Sequence, residues 1–157
     1  MQNRAKVPAD VVRKKIYHYC AYQERSHQEV KNKLYTLNLS TDEVDALITE
    51  LIADGYLNEE RFAKAFAGGK FRLKSWGKIK ITNALEAKGL TKNCIRIGLK
   101  EIDDDDYRKT IESLLLKKAA HTDENNLFVL REKLATYAIQ KGFEPELVWE
   151  IAKEIIR

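Results

Sequence analysis

Between Arg61 and Lys100 the chain carries eleven lysines and arginines and a single acid, Glu86, a local charge of +10. Residues 1–60 hold eight bases against ten acids, and residues 101–157 hold nine against thirteen. Those flanks sum to −2 and −4, so the chain's +4 conceals one concentrated cationic block. Such a block meets a polyanion, an acidic protein surface or plain water. Aromatic residues interleave it: Phe71 and Trp76 lie among Arg72, Lys74, Lys78 and Lys80. Bases and aromatics together can hold phosphate and stack a nucleobase. The candidate binding residues are Arg61, Lys64, Lys70, Arg72, Lys74, Trp76, Lys78, Lys80, Lys88 and Lys92. The near absence of acids favours binding over a merely solvated face. Trp76 serves core packing as readily as stacking. Arg61 can pair with Glu59 or Asp54, or point to a partner. Tyr56, Phe62 and Phe66 read as core at helical spacing.

No other constellation carries chemistry. His18, His27 and His121 are scattered, without metal-ligand spacing to cysteine or carboxylate. Cys20 and Cys94 read as small apolar core residues in a reducing compartment. There is no nucleophile elbow and no glycine-rich phosphate loop; Gly68-Gly69 lacks the rest of any such motif. The run Asp103 to Asp106 reads as the acidic start of a helix rather than a metal site, because consecutive helical residues point in different directions. The expectation is a non-enzyme with no metal and no cofactor. The first ten residues lack an apolar signal region, and no apolar run is long enough to span a membrane. A soluble, monomeric, cytoplasmic protein is expected.

The elements that must position the cations are helices. Nearly every segment repeats its apolar residues with a period near 3.6. Pro8 and Asp10 start a first helix bearing Val11, Val12, Ile16, Tyr19 and Cys20. Ser26 and Glu29 form a capping box, and Asn38 is the stop. Thr41 is expected to cap a helix with Val44, Leu47, Ile48, Leu51 and Ile52, ended by Gly55. Asn58 opens a helix with Phe62, Ala65, Phe66 and Leu73 on its apolar side. Gly68 and Gly69 within it predict a kink or a close helix contact. Trp76-Gly77 marks a break, Lys88-Gly89 a helix exit, and Thr91 the next cap. The last unit has a turn at Asp123 to Asn126, a helix over 127–140, an exit at Lys141-Gly142 and Pro145 in a final first turn.

The pattern repeats. Val30, Leu34, Leu39, Val44, Ile48 and Leu51 match Ile81, Leu85, Leu90, Ile95, Leu99 and Ile102 at an offset of 51. A further offset of 53 reaches Leu134, Ala138, Phe143, Val148, Ala152 and Ile155. The stops Asn38, Gly89 and Gly142 keep the same register. The expected fold is all-α: three tandem three-helix repeats, degenerate helix-turn-helix units in an elongated array. The expected divisions are residues 1–57 (with an N-terminal tail), 58–102 (basic) and 103–157.

Three stretches carry a resemblance to a known family: SHQEVKNKL (26–34), GYLNEERFAKAF (55–66) and WGKIKITNALEAKGL (76–90). They resemble RecX, the bacterial regulator of the RecA recombinase. Ser26, Glu29, Val30, Lys33 and Leu34 match its first motif. Gly55, Tyr56, Leu57, Arg61, Phe62 and Ala63 match the second. Gly77, Ile81, Leu85, Lys88 and Gly89 match the third. Asn58, Glu59, Lys80 and Ala84 depart from the family pattern; Lys80 keeps the charge of the usual arginine without its bidentate fork. The resemblance implies tandem three-helix repeats and a non-enzymatic modulator. It implies binding to the RecA–DNA filament and damping of recombinase and co-protease activity. The basic middle unit would touch DNA phosphate or an acidic filament surface. Contact with single-stranded or duplex DNA is expected to be weak and salt-sensitive. Two other readings of the residues remain open: a tandem helix-turn-helix protein binding duplex DNA, and a helical adaptor for an acidic protein.

Overall fold

Most helix starts in this chain have a side chain ready to accept the free N–H groups of the first turn. Ser26 Oγ accepts from the Glu29 N–H at 3.1 Å, and the Glu29 carboxylate accepts from the Ser26 N–H at 3.4 Å. The side chains of Asn58, Thr91, Asp103 and Asn126 likewise accept from first-turn N–H groups, without the reciprocal bond. The computed structural model describes residues 7–157; residues 1–6, most of the tail assigned to the first unit, lie outside them. The helices are α1 (Ala9–Tyr22), α2 (His27–Thr36), α3 (Thr41–Ala53), α4 (Glu59–Lys74), α5 (Lys78–Ala87), α6 (Lys92–Leu99), α7 (Asp104–Ala120), α8 (Leu127–Gln140) and α9 (Pro145–Ile155). The described residues contain no strand. One cap differs from expectation. Ser40, not Thr41, caps α3, because the acid that completes the box, Glu43, stands three residues after Ser40.

The repeat is visible in the backbone. Asn38, Gly89 and Gly142 end the middle helix of each triple with φ of 64°, 82° and 97°. Of the eighteen matched apolar positions, all but Leu39, Leu99 and Ile155 are fully buried. Helices α1–α3 close around Val12, Ile16, Val30, Leu34, Val44 and Leu51. Helices α4–α9 share one continuous core from Phe62 to Ile156. Buried Cys20 joins the first core, its thiol pKa pushed up chiefly by burial.

Helix α4 presents a different face from the one its large apolar residues suggest. Leu73 is 83% exposed, and Ala65 is exposed as well. The buried face is Phe62, Ala63, Ala67 and Phe71. Close approach of α6 selects it: a Cβ on Gly98 would lie 2.7 Å from the Ala63 carbonyl oxygen. Only small residues permit that distance. Phe71 therefore faces the core, against Tyr107 at 5.8 Å, and does not interleave the cations. Gly68 and Gly69 do not interrupt α4. Gly68 lies beneath the Arg72 guanidinium, while a Cβ on Gly69 would meet open space. Ile52 and Tyr56 are also more exposed than expected; Tyr56 sits edge-on to Tyr17 at 4.7 Å between ring centres.

Polar contacts between triples join neighbours in chain order, the first triple to the second and the second to the third. The joint between α4–α6 and α7–α9 is built on the amino end of α5, which has no side-chain cap. The Gly77 N–H donates to Lys141 O at 2.8 Å, and the Ile79 N–H to Gly142 O at 3.0 Å. Between them the Lys78 N–H donates to the Tyr107 hydroxyl at 3.0 Å, and that hydroxyl donates to Glu144. A Cβ on Gly77 would come within 2.1 Å of the Gly142 carbonyl carbon. Burial, and then the bond to Glu144, push the Tyr107 phenol well above its ordinary pKa of 10.

The first joint is polar. Arg61 Nε donates to Glu24 at 2.5 Å and Arg61 Nη2 to Gly55 O at 3.0 Å. Lys88 Nζ pairs with Glu29 at 2.9 Å, and His27 Nδ1 lies 2.8 Å from Glu59 Oε1.

Replacing Gly77 with alanine is expected to cost about 3 kcal/mol or more, lowering Tm by about 6–12 °C. Gly69→Ala, in open space, should stabilise by about 0.5–1 kcal/mol. Thermal unfolding of the two variants checks both signs. Tyr107→Phe leaves the Lys78 N–H and Glu144 short of a partner and should cost about 1–3 kcal/mol. The pH dependence has a definite sign. The folded state holds the phenol protonated, whereas the unfolded chain releases that proton above pH 10. The phenol's contribution is thus complete below pH 10 and declines as pH rises beyond it. Denaturant titrations at alkaline pH should show a shallower decline for Tyr107→Phe.

Candidate functional site

The ten residues named from the sequence do not form one surface; the fold divides them. Lys70 near the end of α4 and Lys80 in the first turn of α5 meet over the ring of Trp76, at 4.9 Å and 4.6 Å from its centre. Ser75 makes this possible. It adopts φ 54°, a left-handed conformation seldom taken by serine, and turns the chain sharply between the helices. Its N–H donates to Phe71 O at 3.1 Å, and the Trp76 N–H to Lys70 O at 3.2 Å. Phe66 meets the Trp76 ring edge-on at 6.4 Å, and Lys88 Nζ lies 5.8 Å from the Phe66 ring. Trp76 thus does both things the sequence left open. It packs half-buried against the core and fixes two ammonium groups at the surface. Each such cation–aromatic contact is worth about 0.5–1 kcal/mol where exposed.

Lys78 and Lys92 belong to a second place. A groove of about 650 Å³ runs between α5, α6 and the start of α7, with Ile95, Leu99 and Ile102 among its apolar lining. Lys78, Lys92, Arg96 and Lys100 stand around it, tempered by Glu86, Asp103 and Asp104. Arg96 and Lys100 were missing from the sequence selection. Their signal was available: positions 92, 96 and 100 fall on one helical face. Lys78 is partly occupied, 3.6 Å from Asp104 and 4.6 Å from the Tyr107 ring centre.

Arg61 and Lys88 hold the first joint, so their charges are directed at Glu24 and Glu29 of the chain itself. That answers where Arg61 points: to neither Glu59 nor Asp54. Asp54 instead accepts from the Tyr17 hydroxyl at 2.5 Å, a bond that, with burial second, pushes the Tyr17 phenol up to about 12. Arg72 lies exposed along α4 over Gly68. Lys64, Lys74 and Lys92 are exposed and have no ion-pair or hydrogen-bond partner among the described residues. They are the most available cations of the basic unit. The acidic run performs its structural part: Asp103 Oδ2 accepts from the Asp106 N–H at 3.0 Å and caps α7.

Comparisons with known proteins converge on one family. A family model for the second three-helix domain of RecX matches residues 58–99, the basic unit itself. The regulatory protein RecX of Finegoldia magna is 27% identical over 139 residues, covering 87% of this chain and 66% of that protein. That of Listeria monocytogenes serovar 1/2a is 26% identical over 149 residues, covering 93% and 55%. The chain thus spans between about half and two thirds of the length of these relatives. The crystal structure of RecX from Lactobacillus salivarius superimposes with a TM-score of 0.85 at 22% identity, covering 93% of this chain and 95% of that one. A second crystal structure of a regulatory protein RecX gives 0.78 at 18% identity, covering 98% and 82%. Those two likenesses fix the architecture, and the sequence is similar to RecX regulatory proteins across most of its length, with residues 58–99 matched by the second three-helix domain of that family.

Proposed function

We propose that this protein is a non-enzymatic regulator that binds the RecA–DNA filament and inhibits recombinase and co-protease activity. The observation that carries the reading is a coincidence in one place. The unit matched by the RecX domain is also the unit that bears the unpaired cations Lys64, Lys74 and Lys92. The cradle at Trp76 and the basic edges of the α5–α6 groove extend that cationic surface. A rigid helical surface with ammonium groups held apart suits phosphates spaced along a nucleic acid backbone, or carboxylates on the filament protein. Contact through phosphate positions the protein without reading sequence. The flanking units are net acidic, so the middle unit carries the greatest excess of positive charge in the array. The protein acts as a monomer in the cytoplasm.

Titrating the protein into RecA with single-stranded DNA should progressively lower DNA-dependent ATP hydrolysis. An unchanged rate at saturating protein would overturn the reading. Reversing charge at the three free positions (Lys64→Glu, Lys74→Glu, Lys92→Glu) should raise the half-inhibitory concentration about tenfold or more and flatten its salt dependence. Stability should move by no more than about 0.5 kcal/mol per site, because exposed, unpaired charges contribute little to folding. A variant that unfolds would instead show that these stems pack rather than bind.

A further inference from the structure

The −2 sum over the first sixty residues hides a second cationic surface. From Arg13 to Lys33 the chain holds six lysines and arginines and only two acids, Glu24 and Glu29. Both acids are turned away toward the basic unit, Glu24 onto Arg61 and Glu29 onto Lys88. What they leave behind is a concave site of about 440 Å³ lined by Lys15, His18, Tyr19, Tyr22, Arg25, Lys33 and Leu37, with no acid in its wall. Positions 15, 18, 19 and 22 share one face of α1, and Lys33 approaches from α2.

The site is organised before any ligand arrives. The Arg25 guanidinium carbon lies over Tyr19, 3.7 Å from the ring centre. Its Nε is fixed by donation to Tyr19 O at 3.0 Å. No partner engages its two terminal nitrogens among the described residues. Such a guanidinium is preset for the forked recognition of a phosphate. Lys33 Nζ stands 5.6 Å from the same ring centre, and Lys15 is exposed and unpaired among the described residues. Tyr22 offers the other half of the chemistry: the residue is 75% exposed beside the cations. An acidic peptide would use the cations and leave that ring idle. A nucleotide of a single strand uses both, its phosphate on the cations and its base on the ring.

We propose that the α1–α2 unit carries a separate single-stranded nucleic acid site, with Arg25, Lys15 and Lys33 on phosphate and Tyr22 stacking a base. It shares with the RecA reading only the class of ligand and needs no RecA to be tested. The probe is a fluorescent oligothymidylate of about 16 nucleotides, compared with an abasic strand of equal length, both titrated with the full chain near 50 mM salt. Tyr22→Ala should weaken oligothymidylate binding by about 5- to 100-fold while abasic binding stays as it was. Lys15→Glu with Lys33→Glu should reduce the salt slope of log K by about 1.4, two phosphates' worth. Wild-type affinity in Tyr22→Ala, or an unchanged slope in the double variant, overturns the site. So does binding of an acidic peptide in preference to the strand. Loss of RecA inhibition without any change in these titrations would bear on the basic unit alone. Loss of oligothymidylate binding in Tyr22→Ala, with ATPase inhibition intact, would establish the site apart from it.

Discussion

The amino end of α5 is the point on which the array depends. A helix begins with N–H groups that no residue of its own turn can satisfy. At α5 the usual remedy is missing, since Gly77 has no side chain to offer. The next triple supplies it: two carbonyls of the α8–α9 turn and the Tyr107 hydroxyl take the donors of residues 77, 78 and 79. This arrangement requires backbone to lie against backbone, which explains glycine at both 77 and 142. It also fixes Lys80, whose Cβ carbon rests against Gly142, and with it one of the two ammonium groups over Trp76. The geometry of the cationic cradle is thus set from the third triple as much as from the second.

The first joint works by other means. Arg61, Lys88 and His27 face Glu24, Glu29 and Glu59 across it. The apolar clusters of the two sides remain separate. Half-exposed ion pairs contribute little individually and weaken with salt. Glu59 Oε2 is buried there with no hydrogen-bond partner among the described residues, a further cost to the closed arrangement. The same pairing consumes the acids that would otherwise neutralise the α1–α2 surface. Cohesion of the array and distribution of its charge are therefore one problem.

What could be read from the sequence was local. Capping boxes, left-handed stops and the spacing of buried positions each lie within a few residues, and the α8 boundaries 127 and 140 followed from turn and exit signals. The all-helical fold followed from them. The face of α4 did not, because Leu73 and Phe71 fit the helical period about equally well. The decision came from Gly98, across a neighbouring helix. Arg61 was likewise undecidable: its partner Glu24 lies 37 residues away, in a loop whose position only the assembled unit defines. The α5 joint was least legible, since main-chain donors and acceptors leave no mark on residue identity beyond two glycines. Ser75 gave no warning either, standing where glycine or asparagine would have announced the turn.

The contrast between the two joints has a mechanical consequence. One is a stitched seam of main-chain bonds backed by a continuous hydrocarbon interior; the other is a zipper of side-chain ions. A chain attached at both ends to a lengthening or rotating support experiences the two in series, under the same force. The ionic zipper yields at the lower load, and its opening frees Glu24, Glu29, Arg61 and Lys88 while leaving α4–α9 undisturbed.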